Sequence, residues 1–495
     1  MSAQHAMRLD DLLRGIAEVP RGGEIVVSGL TQDSRAVRAG DAFVALRGAR
    51  AHGIAFASMA FECGAVAVLA EKAENRKRET GDDAPVVWID HLRARLGEIA
   101  ARFFDRPSKA MTLIGVTGTN GKTSTVQLLA QAFTKLGHRA ATIGTLGAGL
   151  HGAVQSGERT TPDVISVHAL LAQFRAAGAT HVAMEVSSHA LDQHRVDAVA
   201  FDVAVFTNLT RDHLDYHGTM EAYGAAKAKL FAWPSLRAAV INVDDAFGHE
   251  LASKLPSSIK QIRYAIENDS TELCASDVHT HSDGLDFHLR TPWGEGVVHS
   301  RLLGRFNVAN LLAVAGALGA LDVSFDRIRD VLQTLEPVAG RMNRLGGGAC
   351  PLVVVDYAHT PDALQQALTT LRAHCEGKLM CVFGAGGERD AGKRPQMGAI
   401  AENGADICIV TDDNPRGEDG DAIVAGILSG FAQPQRARVM RDRARAIELA
   451  LHDAQPGDVV LIAGKGHEAY QESAGLKRPF DDFAVARAAL EVRAC

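Results

Sequence analysis

Residues 115–124 read Gly115-Val116-Thr117-Gly118-Thr119-Asn120-Gly121-Lys122-Thr123-Ser124. An apolar run, Thr112–Thr117, leads into the glycines. A helical pattern follows from Thr123, with Val126, Leu129, Ala130, Phe133 and Leu136 on one face and Gly137 placed to end it. Glycines let backbone N–H groups approach phosphate oxygens closely, and a helix N-terminus adds favourable partial charge. Lys122 is placed to reach the outer phosphates and the Thr123 hydroxyl to ligate Mg²⁺. The strict pattern G-x-x-x-x-G-K-[ST] asks for Gly at 116, where Val stands, so the segment is a variant. No N-K-x-D guanine-reading segment occurs in the chain, which argues against a GTPase.

Outward from this loop the pattern alternates. Thr161-Pro162-Asp163 opens a second helix, with Thr as cap, Pro in the first turn and an acid near the positive end. Apolar strands read at His181–Val186, Val203–Thr207 and Ala239–Val243, then at Leu352–Val355, Leu379–Phe383, Ile407–Thr411 and Val459–Ala463. Before the loop, strand-like stretches lie at Ile25–Val27, Asp41–Ala45 and Ala65–Leu69, and Asp105-Arg106-Pro107-Ser108-Lys109 reads as a linker. Strand–helix alternation predicts an α/β protein whose central sheet is largely parallel and covered on both faces. Three blocks are expected: a smaller N-terminal α/β domain over 1–109, a central phosphate-loop domain over 110–340, and a Rossmann-like C-terminal α/β domain over 341–495.

A chain of 495 residues is too long for one ordinary core. Its 46% hydrophobic and 22% charged residues are ordinary globular chemistry. The net charge of −7 argues against a general affinity for nucleic acid or acidic membranes. Neither an apolar N-terminal leader nor a run of about 18 apolar residues is present, so no membrane insertion is expected. Seven cysteines without C-x-x-C spacing read as reduced thiols of a cytoplasmic protein.

Two segments beyond the loop carry chemistry. Glu185 ends a strand in Met184-Glu185-Val186-Ser187-Ser188-His189, where ligands bind in open α/β sheets, and could hold Mg²⁺ directly or through water. The run Asn208-Leu209-Thr210-Arg211-Asp212-His213-Leu214-Asp215-Tyr216-His217 also follows a strand, although a solvated loop would look similar. Lys227, on the helical segment Met220–Phe231, reads by itself as a surface lysine.

Taken together, GVTGTNGKTS, TTPD, EVSSHALDQHRV, FTNLTRDHLDYHG, GRFNVAN, GRM, DYAHTPD and DDNPRGE stand in the order found in the Mur ligase family, and the chain resembles that family over nearly its whole length. The resemblance implies an ATP-dependent acid–amino-acid ligase of peptidoglycan precursor synthesis, forming ADP and phosphate. It is nearest to the branch that adds meso-diaminopimelate to a UDP-N-acetylmuramoyl dipeptide. It further implies a monomer and a link to cell-wall biogenesis, cell shape and cell division. By the resemblance, Gly118, Thr119, Asn120, Gly121, Lys122, Thr123 and Ser124 hold the ATP phosphates. Asn307 and Asn310 lie near the adenine, Asp356 near the ribose, and Arg341 and His359 near the phosphates. Thr123 and Glu185 ligate one Mg²⁺ and His213 helps with a second, while Lys227 matches the lysine that CO₂ converts to a carbamate ligand. Lys122, Lys227, His213 and Glu185 form the implied catalytic set. Ser34, Ala49, Arg50, Ala51, Thr160, Thr161, Ser187, Gln193 and Arg195 match positions for the UDP-sugar peptide. Related enzymes often carry Asn before the two threonines, where this chain has Arg159. Arg389, Asp413, Asn414, Pro415, Arg416, Gly464 and Glu468 match positions for diaminopimelate. The alternatives are a lysine-adding or folate-polyglutamate ligase and, from another class, an ATP-driven switch whose third block binds a protein.

Overall fold

The run Thr112–Thr117 (β5) is buried at all but its first residue, as expected of a strand covered on both faces. The computed structural model describes residues 5–19, 22–48, 51–72, 85–157, 159–268, 270–281 and 284–493. The chain divides into two compact units, Met1–Arg263 and Tyr264–Cys495.

In the first unit, Gly29–Thr31 (β1), Asp41–Ala45 (β2), Ala67–Glu71 (β3) and Val86–Ile89 (β4) form a parallel sheet in sequential order. Alternate residues of β2 feed two cores. Ala42 and Val44 join Leu96 and Ile99 of helix Leu92–Phe103, while Phe43 and Ala45 join Ala57 and Ala60. The larger sheet continues with Ala140–Gly144 (β6), Gly147–Leu150 (β7), His181–Glu185 (β8), Val203–Phe206 (β9) and Ala238–Asn242 (β10). Its order in this unit is β10-β9-β5-β8-β6-β7, parallel throughout except for the antiparallel edge β7. Strand β5 therefore stands between β9 and β8, where the order reverses, and this is where open α/β sheets bind ligands.

The second unit contains an antiparallel meander of Leu273–His281 (β11), Gly284–Thr291 (β12) and Gly294–Ser300 (β13). Sequence reading missed it because its polar–apolar alternation is that of a half-exposed sheet, not of buried strands. After helices Arg305–Ala320 and Phe325–Gln333 comes a six-stranded sheet. It is built from Asn343–Gly346 (β14), Leu352–Asp356 (β15), Leu379–Phe383 (β16), Ile407–Val410 (β17), Arg438–Val439 (β18) and Val459–Ala463 (β19), ordered β14-β15-β19-β16-β17-β18. Only the β14–β15 pair is antiparallel. Val354, Cys381, Phe383, Val410 and Leu461 face one helical layer, and Val353, Val355, Met380, Val382 and Ile462 face the other. The fold is thus three α/β domains, with helices on both faces of the sheets.

Two expectations are corrected. The helix Val164–Ala176 is capped by Asp163, whose carboxylate accepts from Ile165 and Ser166 N–H, and not by Thr161. Cys350 is disulfide-bonded, whereas Cys63, Cys274, Cys375, Cys381 and Cys408 are free thiols. Among the described residues no helix is long and apolar enough to cross a membrane.

Candidate active site

The phosphate loop joins β5 to helix Lys122–Lys135 through Gly118 (φ 147°) and Gly121 (φ 83°). At Gly118 a side chain is excluded twice: the backbone is left-handed, and a Cβ would lie 1.9 Å from Thr207 Oγ1. The loop is held from β9 and the chain beyond it. Asn120 N–H donates to Asn208 Oδ1 at 2.9 Å, and Thr207 Oγ1 donates to the Asn120 carbonyl at 2.6 Å. Lys122 Nζ donates to the Gly118 and Thr119 carbonyls at 2.9 and 2.7 Å, folded over the loop it is expected to serve.

Glu185, at the end of β8, is fully buried. Its carboxylate accepts from Thr123 Oγ1 at 3.1 Å, from Thr145 N–H at 2.8 Å and from Thr145 Oγ1 at 3.1 Å. The Thr145 and Thr160 hydroxyls lie 3.1 Å apart, and Thr161 Oγ1 donates to the Glu185 carbonyl at 2.9 Å. Ser187 N–H donates back to Thr161 Oγ1 at 3.3 Å. Phosphate-loop residues and the Thr160–Thr161 pair therefore belong to one hydrogen-bonded group. Thr145, which ties them together, was not singled out from sequence. It follows the apolar strand β6, as Glu185 ends β8, and that position was the available signal. Two oxygens 3.1 Å apart, Thr123 Oγ1 and Glu185 Oε2, suit adjacent corners of a Mg²⁺ octahedron, where roughly 2.9 Å is expected from metal–oxygen bonds of about 2.05 Å. The hard oxygen donors fit that cation.

Lys227 is only 1% exposed, which overturns its reading as a surface lysine. Its Nζ donates to the Gly118 carbonyl at 2.7 Å and stands 4.3 Å from the Tyr223 ring centroid. Burial pulls its pKa down to about 6, the nearby Lys122 cation adds to this, and Asp212 opposes it. At neutral pH the amine is therefore largely uncharged and nucleophilic. His213 caps the short helix Leu214–His217 in a left-handed conformation, 4.8 Å from the His189 ring and 6.0 Å from that of Tyr223.

A cavity of about 1240 Å³ in this unit is lined by Ser34, Ala51 and Arg159 among others. Ala49 and Arg50 lie outside the described residues. Gln193 and Arg195 follow the helix Ser188–Asp192, with Arg195 Nη1 donating to the Thr161 carbonyl at 3.2 Å.

In the second unit, Asn310 Nδ2 donates to Asn307 Oδ1 at 2.8 Å inside helix Arg305–Ala320, and both residues are buried. Arg341 lies over the Tyr357 ring at 5.4 Å, and His359 Nδ1 is 2.8 Å from the Tyr357 carbonyl. Asp356 accepts from Met342 N–H at 2.8 Å, and burial raises its carboxyl above the usual range.

The diaminopimelate candidates also converge in this unit. Arg416 adopts a left-handed φ of 54°, fixed by its N–H donating to the Glu472 carbonyl at 3.0 Å. Its guanidinium donates to the Gly387 carbonyl at 2.9 Å, with Glu472 Oε2 3.9 Å away. It does not bond Glu418 or Asp419. Arg394 holds Glu418 through two bonds of 2.7 and 2.8 Å, and Asp419 caps the helix Gly420–Leu428. Asn414 Nδ2 donates to Glu468 Oε2 at 2.8 Å. Lys465, fully buried and missed from sequence, donates to Asn414 Oδ1 at 3.1 Å and approaches Glu468 Oε2 at 3.4 Å. A Cβ on Gly464 would lie 2.5 Å from Asp413 Oδ2, so that position needs glycine. A Cβ on Gly386 would lie 2.9 Å from Arg416 Nη1 and 3.6 Å from Arg389 Cγ, which brings both guanidinium side chains to one loop. Pro415 is buried between Asn414 and Arg416.

Comparison with known proteins matches these domains in turn. The description "Mur ligase family, catalytic domain" covers residues 26–104, "Mur ligase middle domain" 116–318, and "Mur ligase, glutamate ligase domain" 340–466. A UDP-N-acetylmuramoyl-L-alanyl-D-glutamate–2,6-diaminopimelate ligase of Xanthomonas campestris pv. campestris is 60% identical over 98% of this chain and 97% of its own. The chain belongs to the Mur ligase family. A Mur ligase of the same name from Pseudomonas aeruginosa is 52% identical over 94% of this chain and 96% of its own. A solved structure of a ligase with that name superposes with a TM-score of 0.76 at 36% identity, covering 99% of this chain and all of the other.

Proposed function

We propose that this Mur ligase joins meso-2,6-diaminopimelate to UDP-N-acetylmuramoyl-L-alanyl-D-glutamate, consuming ATP in the cytoplasm. The observation that carries the reading is Glu185. It is bonded at once to Thr123 of the phosphate loop and to Thr145, which reaches Thr160, next to Arg159 of the cavity lined by Ser34 and Ala51. Phosphoryl donor and carboxylate acceptor are thereby served by one rigid group. The γ-phosphoryl group passes to the D-glutamyl side-chain carboxylate, ADP leaves, and an acyl phosphate forms on the substrate. The diaminopimelate amine then attacks the acyl carbon: a C–N bond forms, the C–O bond to phosphate breaks, and the amine loses a proton.

Lys122 neutralises charge on the moving phosphoryl group. Thr123, Glu185, His213 and Lys227 as its carbamate would hold Mg²⁺, which supplies further neutralisation of the phosphate oxygens. Carbamylation needs an uncharged amine, and the depressed Lys227 pKa of about 6 provides one. Asn307, Asn310, Asp356, Arg341 and His359 serve the rest of the nucleotide. Arg416 and Arg389 take the far carboxylate of diaminopimelate, and Glu468 the far ammonium.

The test is ADP release with a panel of amino acids, with and without the UDP-sugar dipeptide. Turnover that needs both the dipeptide and meso-diaminopimelate is expected. Turnover that needs neither would point to an ATP-driven switch, and turnover with L-lysine alone among amino acids to a lysine-adding ligase.

A further inference from the structure

Beyond β19 the chain forms a hairpin, with Tyr470–Ser473 (β20) paired antiparallel to Leu476–Pro479 (β21). Strand β21 is exposed at all four residues, while β20 meets the segment 412–416 that follows β17 and carries diaminopimelate candidates. The contacts are polar and run along the whole segment. Gln471 Nε2 donates to the Asp412 and Asp413 carbonyls at 3.3 and 2.9 Å, and Glu472 N–H donates to Asn414 Oδ1 at 2.9 Å. Arg416 N–H donates to the Glu472 carbonyl at 3.0 Å, and Ala474 N–H donates to the Arg416 carbonyl at 2.6 Å. Arg416 and Ser473 thereby form a parallel bridge.

These last two bonds account for a strained residue. Arg416 is left-handed at φ 54°, a conformation that costs an arginine energy and persists only where the surroundings over-determine it. Both of its main-chain polar groups are bonded to the hairpin, so the hairpin fixes the backbone from which the guanidinium projects. The side chain is then held by Nη1 at the Gly387 carbonyl, 2.9 Å away, with Glu472 Oε2 3.9 Å from Nε. Main-chain bonds alone set register weakly in a polar strand, and Tyr470-Gln471-Glu472-Ser473 has no fully buried residue to do better. Gln471 supplies a side-chain hook instead: one amide group takes two consecutive carbonyls of the segment.

We propose that Gln471 is a positioning residue for amino-acid selectivity: by hooking the hairpin to the Asp412 and Asp413 carbonyls it sets the direction of the Arg416 guanidinium without itself touching the amino acid. The inference rests on the ligase reading, in which Arg416 takes the far carboxylate of diaminopimelate. A guanidinium grips a carboxylate bidentately only when the two planes match, so a small turn of Arg416 loses that grip. Lysine has no far carboxylate and is indifferent to the turn.

ADP release by the full chain, with ATP and the UDP-sugar dipeptide saturating, tests the hook. Gln471→Glu keeps the shape but turns an oxygen towards the two carbonyls, and Gln471→Met keeps the length without a donor. Each is expected to raise KM for meso-diaminopimelate by about tenfold to a hundredfold while kcat stays within about twofold. The kcat/KM for L-lysine should not move, so discrimination falls by the same factor. In an Arg416→Ala background the Gln471 substitutions should cost nothing further. An unmutated KM in both variants overturns the proposal. An equal loss with the two amino acids, or an undiminished loss in the Arg416→Ala background, overturns it too, because either makes Gln471 a support of the whole site. An unmutated chain that releases no ADP with the dipeptide and meso-diaminopimelate overturns the ligase reading itself.

Discussion

Around the phosphate loop, Lys122 and Lys227 direct hydrogen bonds at backbone carbonyls, and Glu185 accepts from the uncharged donors of Thr123 and Thr145. Around Arg416 the charged side chains largely answer one another. Lys465 faces Asp413 and Glu468, Arg394 grips Glu418, and Arg443 is locked to Asp482 by two buried bonds of 2.7 and 2.8 Å. A lysine and hard oxygens set beside the phosphate loop can stabilise charge on a moving phosphoryl group, whereas charge already balanced makes a rigid mould that tells one zwitterion from another. The first region should therefore govern kcat and the second the choice and KM of the amino acid.

The largest effect expected is in the second region. Lysine lacks the far carboxylate of diaminopimelate and would leave the Arg416 guanidinium without its partner, so kcat/KM should favour meso-diaminopimelate by about 10⁴. Arg416→Ala should raise KM for diaminopimelate steeply while kcat moves little. Equal efficiency with the two amino acids in the unmutated enzyme would remove the contrast between the regions while leaving the ligase assignment in place.

Lys122→Ala comes next. It should fold normally, bind diaminopimelate as before and lose about 10²–10³ in kcat, the usual cost of one preorganised group facing developing charge. A change confined to the KM of the amino acid would reverse the division of labour.

Lys227→Ala should lose about 10² in kcat if a metal ligand is removed. Acetate should restore part of the activity by occupying the space. A carbamate resonance from ¹³C-labelled CO₂, present in the unmutated chain and absent from the variant, would sharpen the point. An unmodified amine in a fully active enzyme would refute it.

The smallest effect lies in neither region. His168, buried in the helix Val164–Ala176, holds one ring nitrogen 3.0 Å from the Asp197 carbonyl, and the other has no partner among the described residues. Burial lowers its pKa to about 4. The unfolded chain takes up this proton near pH 6.5, so the stability contributed by neutral His168 is complete above that pH and falls as pH drops towards 4. Between pH 6.5 and 5 the loss should be about 2 kcal/mol. Urea unfolding of His168→Gln should show a flatter acid limb, with kcat little changed. Identical slopes for the two proteins would discard the assignment.

Much of the fold was legible because the buried strands are short apolar runs. Asp41–Ala45, Thr112–Thr117, Leu379–Phe383 and Val459–Ala463 were read with the observed limits, and the other strands that were read lie within a residue or two. Val86–Ile89 and Ala140–Gly144 were not read. The meander of β11–β13 was not legible, because half-exposed strands alternate polar and apolar residues and β11 contains an irregularity between Ser276 and His279. At the candidate site, Lys227 taken alone reads as exposed, because a lone lysine on a helix gives no sign of which way it faces, and only the family resemblance assigned it to the site.

The sequence by itself determined the strand–loop–helix that receives phosphate, the alternation that makes parallel sheets, and the order of motifs that places the chain in its family. Those patterns are local or serial, and a linear text carries them. Only the tertiary structure decided that Thr123 and Thr145, 62 and 40 positions from Glu185, share its carboxylate, and that Lys227 reaches the Gly118 carbonyl from 109 positions away. It also decided that Glu418 belongs to Arg394, which leaves Arg416 facing a backbone carbonyl and the weak attraction of Glu472. The physical reason is that hydrogen bonding and desolvation act through ångströms of space, and only packing sets which distant residues come that close.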